Sequence, residues 1–257
     1  MQSLLFLSLL LLVPAVLYAQ RPDAAARPDR ILTLDMDGGG RQQFVEVYTS
    51  RFADDPERYG SASLRLSGIN LWTLPDSMGA PHTLEFSVVR ARRDDQQQQI
   101  LVAGTFENDY MEHWIVAWTG SAYRAEKVAA WGPIKWKEDG TFTSQDWFGF
   151  CRVQRLWNYD PATGVASLAA VDSSHFAEPV KVTIYKPLKL TRNRGSGKTI
   201  TLAKRSKITI DAIDTRGSSA GISPSWGDAW LRIRAGVKTG WARVADVAAV
   251  AELPWAG

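Results

Sequence analysis

Apolar and polar residues alternate along most of the chain in short runs, and turn-forming residues separate the runs. The segments 84–89, 100–103, 114–118, 180–184, 207–210 and 230–234 are rich in β-branched and aromatic side chains, which predicts strands. No stretch sustains a 3.6-residue apolar period between caps, so long helices are not expected. The polar run Gln96, Gln97, Gln98, Gln99 reads as a loop. The predicted fold class is all-β.

One run differs from the rest. Residues 4–13, LLFLSLLLLV, are continuously apolar and are followed by Pro14 and a small-residue site ending at Ala19. The run matches the core of a signal peptide and falls short of the ~20 residues that span a bilayer. The expected organisation is a signal peptide over 1–19, a Pro/Ala/Arg-rich linker over 20–30, and an exported chain, periplasmic or secreted.

Composition narrows the chemistry. Among 257 residues there is one cysteine, Cys151, and there are three histidines, His82, His113 and His175. An internal disulfide framework and a multi-cysteine zinc site are excluded. Cys151 lies between apolar neighbours and reads as a buried small hydrophobe. No metal site and no cofactor are expected. Eleven tryptophans are the unusual feature.

Charge divides the chain. Residues 1–180 hold 16 Lys and Arg against 22 Asp and Glu, whereas 181–257 hold 14 against 5. This asymmetry predicts two units, a β-rich domain over 31–180 and a basic module over 184–250, with a tail at 251–257. Between residues 186 and 207 eight basic side chains occur with no acidic one, a stretch that attracts polyanions.

Two segments in the acidic part align without a gap, 35–47 against 91–103, each a polar turn running into a strand. With the Trp-rich hairpin that follows the second, they resemble degenerate FG-GAP or VCBS repeats. That resemblance implies a propeller-derived or sandwich-like domain whose Asp-rich loops bind calcium in the family. Here Asp35 and Asp37 remain, but Gly39 and Gln43 occupy other ligand positions and Arg93 intrudes in the second copy. Two carboxylates supply too few oxygens for calcium, so an ordinary turn is expected.

The basic module presents a Leu-rich strand at 188–191, strands at 199–204 and 207–213, a Gly/Ser loop, then Trp230 with its strand and Gly240-Trp241 closing at Asp246. This order resembles the bacterial Src-homology-3-like domain, which implies a small closed β-barrel. Period-two alternation sets Leu231 and Ile233 on one face and Trp230, Arg232 and Arg234 on the other. Trp230, Arg232, Arg234 and Trp241 are the candidate ligand contacts, since an indole beside guanidinium groups suits peptides, sugars and anionic polymers. The alternative is that Trp230 packs under a loop and the arginines are solvated.

Motifs for catalysis are absent. Gly195-Ser196-Gly197-Lys198-Thr199 lacks the upstream glycine of a phosphate-binding loop and runs on into a strand. His-Glu-x-x-His and Gly-x-Ser-x-Gly do not occur. No catalytic residue is assigned. The leader and the missing motifs predict an exported, non-enzymatic protein. The Src-homology-3 resemblance implies that its barrel recognises cell-wall peptide or another envelope component, and the basic run adds charge-driven contact with anionic envelope polymers. An alternative is an envelope scaffold, with the barrel docked on its own acidic domain or on a partner protein. The second alternative is an envelope hydrolase using carboxylates such as Glu107, Asp109 and Glu112. Export argues against nucleic acid as a partner.

Overall fold

Alternation in the sequence becomes alternation of burial in the structure. A computed structural model describes residues 27–76, 79–107, 110–169, 174–214 and 229–254. The leader, most of the linker and the Gly/Ser loop before Trp230 lie outside the described residues. The strands β1 (Arg30–Leu34), β2 (Gln43–Arg51), β3 (Tyr59–Leu66) and β4 (Ile69–Thr73) form an antiparallel sheet in chain order. A second sheet of the same order holds β5 (Thr83–Arg90), β6 (Gln98–Thr105), β7 (Met111–Trp118) and β8 (Tyr123–Val128). Gln98 and Gln99 therefore belong to a strand rather than a loop, and Gln99 is fully buried.

Ten strands make the third sheet: β9 (Ile134–Trp136), β10 (Thr141–Trp147), β11 (Arg152–Asp160), β12 (Val165–Leu168), β13 (Ser174–Thr183), β14 (Leu188–Asn193), β15 (Ser196–Leu202), β16 (Lys207–Asp214), β17 (Trp230–Ala235) and β18 (Lys238–Arg243). Its order is β15-β14-β18-β17-β16-β13-β11-β10-β9, with β12 paired to β11. The closing strand of Gly240-Trp241, expected from sequence to reach Asp246, stops at Arg243. A five-residue helix, α1 (Val244–Ala248), follows because Val244 and Val247, three apart, both enter the core.

This topology corrects the expected fold. Among the described residues the sheet containing β14 to β18 does not return on itself: β15 pairs there only with β14, and the other end runs from β16 through β13 into β11. The closed Src-homology-3-like barrel is therefore not formed. Nor do the four-stranded sheets close into a propeller, and all sheets are open and antiparallel. The all-β class stands, with α1 as its one helix among the described residues.

Tryptophans explain how the layers pack. Trp72 of the first sheet meets Trp114 of the second at 5.4 Å and Phe86 at 6.2 Å, within a core that also holds Leu34, Leu64, Ile100 and Val116. Strand β7 is covered on both faces, which is why its sequence, MEHWIVAW, is almost continuously apolar. Its Trp114 and Val116 face the first sheet, while Ile115 packs with Phe142 and Trp157 of the third. There Trp136, Phe142 and Trp157 occupy directly opposed positions on β9, β10 and β11, and their rings stack at 5.1 and 5.9 Å, within 10° of parallel. Cross-strand aromatic stacks of this kind add to the area they bury.

The remaining core lies under β14–β18. It gathers Leu190, Leu202, Ile208, Ile210, Leu231, Ile233 and Val247 with Phe148, Phe150, Cys151 and Val153 from the β10–β11 segment. Gly240 allows β14 to approach β18: a Cβ there would stand 2.8 Å from Leu190 Cβ and 2.9 Å from the Thr191 oxygen.

Candidate binding surface

The side of β17 opposite this core carries the sequence-selected residues. Leu231 and Ile233 are fully buried, Trp230 and Arg232 are half-buried and Arg234 is exposed, so the strand alternates as its period requires. The register then brings in β18: Trp230 stands opposite Arg243, Arg232 opposite Trp241 and Arg234 opposite Thr239. Indole and guanidinium thus alternate both along and across the strands. Thr191 of β14 extends the row beyond Trp241.

Four further residues complete the surface. Asp211 of β16 receives the Arg232 Nε at 2.8 Å on one oxygen, and the Arg234 Nε lies 2.6 Å from the other. Arg194, in the β14–β15 turn, pairs with Asp214 and places its guanidinium 5.5 Å from the Trp241 ring centre. Arg243 lies 5.5 Å from the ring centre of Trp230. On Trp230 rests the turn itself: Gly195 adopts a φ of 71°, and a Cβ there would stand 3.3 Å from the indole. Trp230 is accordingly a support for the turn that carries Arg194, and Trp241 is the indole over which Arg194 lies, with Arg232 opposite it in register. Cation–π contacts at such partly exposed sites contribute about 0.5–1 kcal/mol each.

Alternation selected Trp230, Arg232 and Arg234, and the resemblance selected Trp241; neither pointed to Asp211, Asp214, Arg194 or Arg243. The pairing of β16 with β17 joins residues about twenty positions apart across the Gly/Ser loop, and no local pattern announces it. The eight-residue basic run did contain Arg194, but not its destination.

Elsewhere, charged groups are committed to the fold. Asp146 accepts the Trp131 N–H at 2.6 Å and the Gly132 N–H at 3.0 Å on one oxygen, and the Ser144 hydroxyl at 2.7 Å and Arg155 Nε on the other. His113 Nε2 meets the Gly132 carbonyl oxygen at 2.9 Å, and burial lowers its pKa below the ordinary histidine value. Glu112 is buried between the Tyr110 hydroxyl and Lys127, and burial with that carboxylate pushes the Tyr110 phenol up to about 12. Glu107 pairs with Arg58, and Asp109 lies outside the described residues. The carboxylates weighed for hydrolysis thus form no convergent pair among the described residues. In the turn after β1, Asp35 accepts the Gly40 N–H and Asp37 the Gly39 N–H, so both close the turn; the latter bond holds the Asp37 carboxyl below its usual range. No group of three or more His, Cys, Asp or Glu side chains suited to a metal occurs among the described residues.

No family model matches the chain, and no curated protein or solved structure is similar to it. The resemblances to bacterial Src-homology-3-like domains and to FG-GAP or VCBS repeats are therefore unsupported, and the open sheets oppose both. The functions inferred from them are corrected accordingly: among the described residues there is no closed barrel to recognise cell-wall peptide or to dock as a scaffold module, and no similarity supports a role in envelope binding or envelope hydrolysis.

Proposed function

We propose that the protein binds an acidic polysaccharide through the outer surface of β16, β17 and β18. A single observation carries this reading. Trp241 stands opposite Arg232 in register and the Arg194 guanidinium lies over its ring, so an indole shares one surface with guanidinium groups that Asp211 and Asp214 hold in place. A sugar ring presents C–H groups that suit an indole face, and its carboxylate or sulfate suits the flanking arginines. A neutral glycan leaves the arginines unused, and a simple polyanion leaves the indole unused.

Charge supports the same ligand class. Four arginines share this surface with two aspartates, and Lys189, Arg192 and Lys198 on the neighbouring strands are exposed. An anionic chain is attracted over the distance of a Debye length, ~10 Å at 0.1 M salt. The leader sequence supports export to a compartment where such polymers occur.

Electrophoresis of the full chain through gels containing polygalacturonate, dextran sulfate or neutral dextran tests the proposal. Retardation by the two acidic polymers and not by dextran is expected, decreasing as salt rises. Equal mobility in all three gels would overturn it.

A further inference from the structure

Asp211 has a second consequence, which rests on the acidic-polymer reading of this surface. Its carboxylate is nearly enclosed, with a side-chain exposure of 11%, and it contacts both arginines through Nε, one on each oxygen. Arg232 and Arg234 are two apart on one strand, so their backbones lie roughly 7 Å apart on the same face. Among the described residues the terminal Nη groups of these two arginines donate no hydrogen bond. Two positive charges share one negative charge, and the side chains remain 32% and 53% exposed.

From this arrangement we infer that Asp211, Arg232 and Arg234 form a preorganised clamp for one oxyanion group, the carboxylate or sulfate of a polymer residue. Occupation of Nε by Asp211 fixes the orientation of each guanidinium plane and directs its remaining N–H groups outward. A planar guanidinium held in this way loses less side-chain freedom when it accepts a bidentate oxyanion. The incoming anion neutralises the unit of charge that Asp211 leaves unbalanced. Trp241, opposite Arg232 in register, adds an indole to the same surface. Asp211 is thus a positioning residue for the two arginines rather than a ligand contact.

The clamp differs from a diffuse basic patch in the sign of one effect. In a patch, removing the Asp211 charge strengthens anion binding. In a clamp, it weakens binding, because the arginines lose their orientation. The test is a titration of the full chain with inorganic sulfate and with acetate, followed through the Arg Nε–Hε nuclear magnetic resonance signals. The signals of Arg232 and Arg234, assigned by their loss in Arg232→Lys and Arg234→Lys, are expected to shift together and to saturate. Asp211→Asn is expected to weaken sulfate binding roughly tenfold, the scale of one charge-assisted hydrogen bond. The two Lys variants, which keep the charge and lose the fork, are expected to do the same, and they test the clamp even if Asp211→Asn fails to fold. Stronger or unchanged binding in Asp211→Asn, or unchanged binding in both Lys variants, would overturn the clamp. Stronger acetate than sulfate response identifies the carboxylate as the group held, and the converse identifies sulfate. If polymers bind while the clamp fails, the surface stands as a diffuse patch. If sulfate saturates both arginines while no polymer binds, the clamp stands and the polysaccharide reading falls.

Discussion

Arg155 on β11 donates through Nε to Asp146 on β10, and both side chains are enclosed. The guanidinium also lies 4.7 Å from the ring centre of Trp157 and 5.6 Å from that of Trp131, and its Nη2 donates to the Ala129 carbonyl oxygen at 2.6 Å. This pair ties the 129–132 segment, which leaves β8, to the third sheet. Asp146→Ala leaves a buried arginine without its counter-charge and is expected to cost about 3–5 kcal/mol. Adding Arg155→Met should restore part of that loss. Urea unfolding of the single and double variants measures both, and strict additivity would show that the two residues are not coupled.

His113 makes stability depend on pH. Burial keeps its ring neutral and its folded pKa below the ordinary histidine value, with Asp146 and the Gly132 carbonyl opposing the shift. Well above pH ~6.5 both the folded and unfolded rings are neutral, and His113 adds no pH dependence. As pH falls below that value the unfolded chain takes up the proton first, so stability declines until the folded pKa is reached. The decline attributable to His113 is at most about 1.4 kcal/mol per pH unit. His113→Gln is expected to flatten the unfolding free energy between pH 7.5 and 5.5, and an unchanged slope would remove His113 as the cause.

Cys151 packs with Phe148, Phe150 and Val153, and burial raises its thiol pKa well above the ordinary value. The thiol is therefore expected to resist a maleimide at neutral pH in the folded protein and to react fully in guanidinium chloride. Rapid labelling of the folded chain would contradict this placement.

Much of the architecture is legible in local pattern. The alternation of Trp230, Leu231, Arg232, Ile233 and Arg234 is sufficient to assign faces, because a strand repeats every two residues. The same logic fails for closure. A strand's pattern states which side is buried but not which strand lies next to it, and the pairing of β13 with β11 keeps the sheet open. Register is equally silent in the sequence, so Asp211 could not be joined to Arg232 and Arg234 before the β16–β17 pairing and its bulge were known. Nor does alternation foresee α1: Val244 and Val247 follow a strand so directly that they read as its continuation.

Gly240 places Trp241 as well as serving the core. With a Cβ 2.8 Å from Leu190 Cβ, Gly240→Ala forces β14 away from β18. A destabilisation of about 1–3 kcal/mol is expected, on the scale of other overpacked sites. Acidic-polymer binding should weaken too, because Thr191 and the Arg194 turn ride on β14. Thermal unfolding and gel retardation of the same variant check the two effects together; loss of neither would contradict the close approach.

The most direct test compares two indoles. Trp241 lies under Arg194 and opposite Arg232 in register on the proposed surface, whereas Trp147 on β10 is exposed outside it. Polygalacturonate affinity is measured at fixed salt for the full chain, Trp241→Ala and Trp147→Ala. Trp241→Ala is expected to bind on the order of tenfold more weakly, and Trp147→Ala to bind like the parent chain. Equal affinity in all three would contradict the account, since charge alone would then explain the binding.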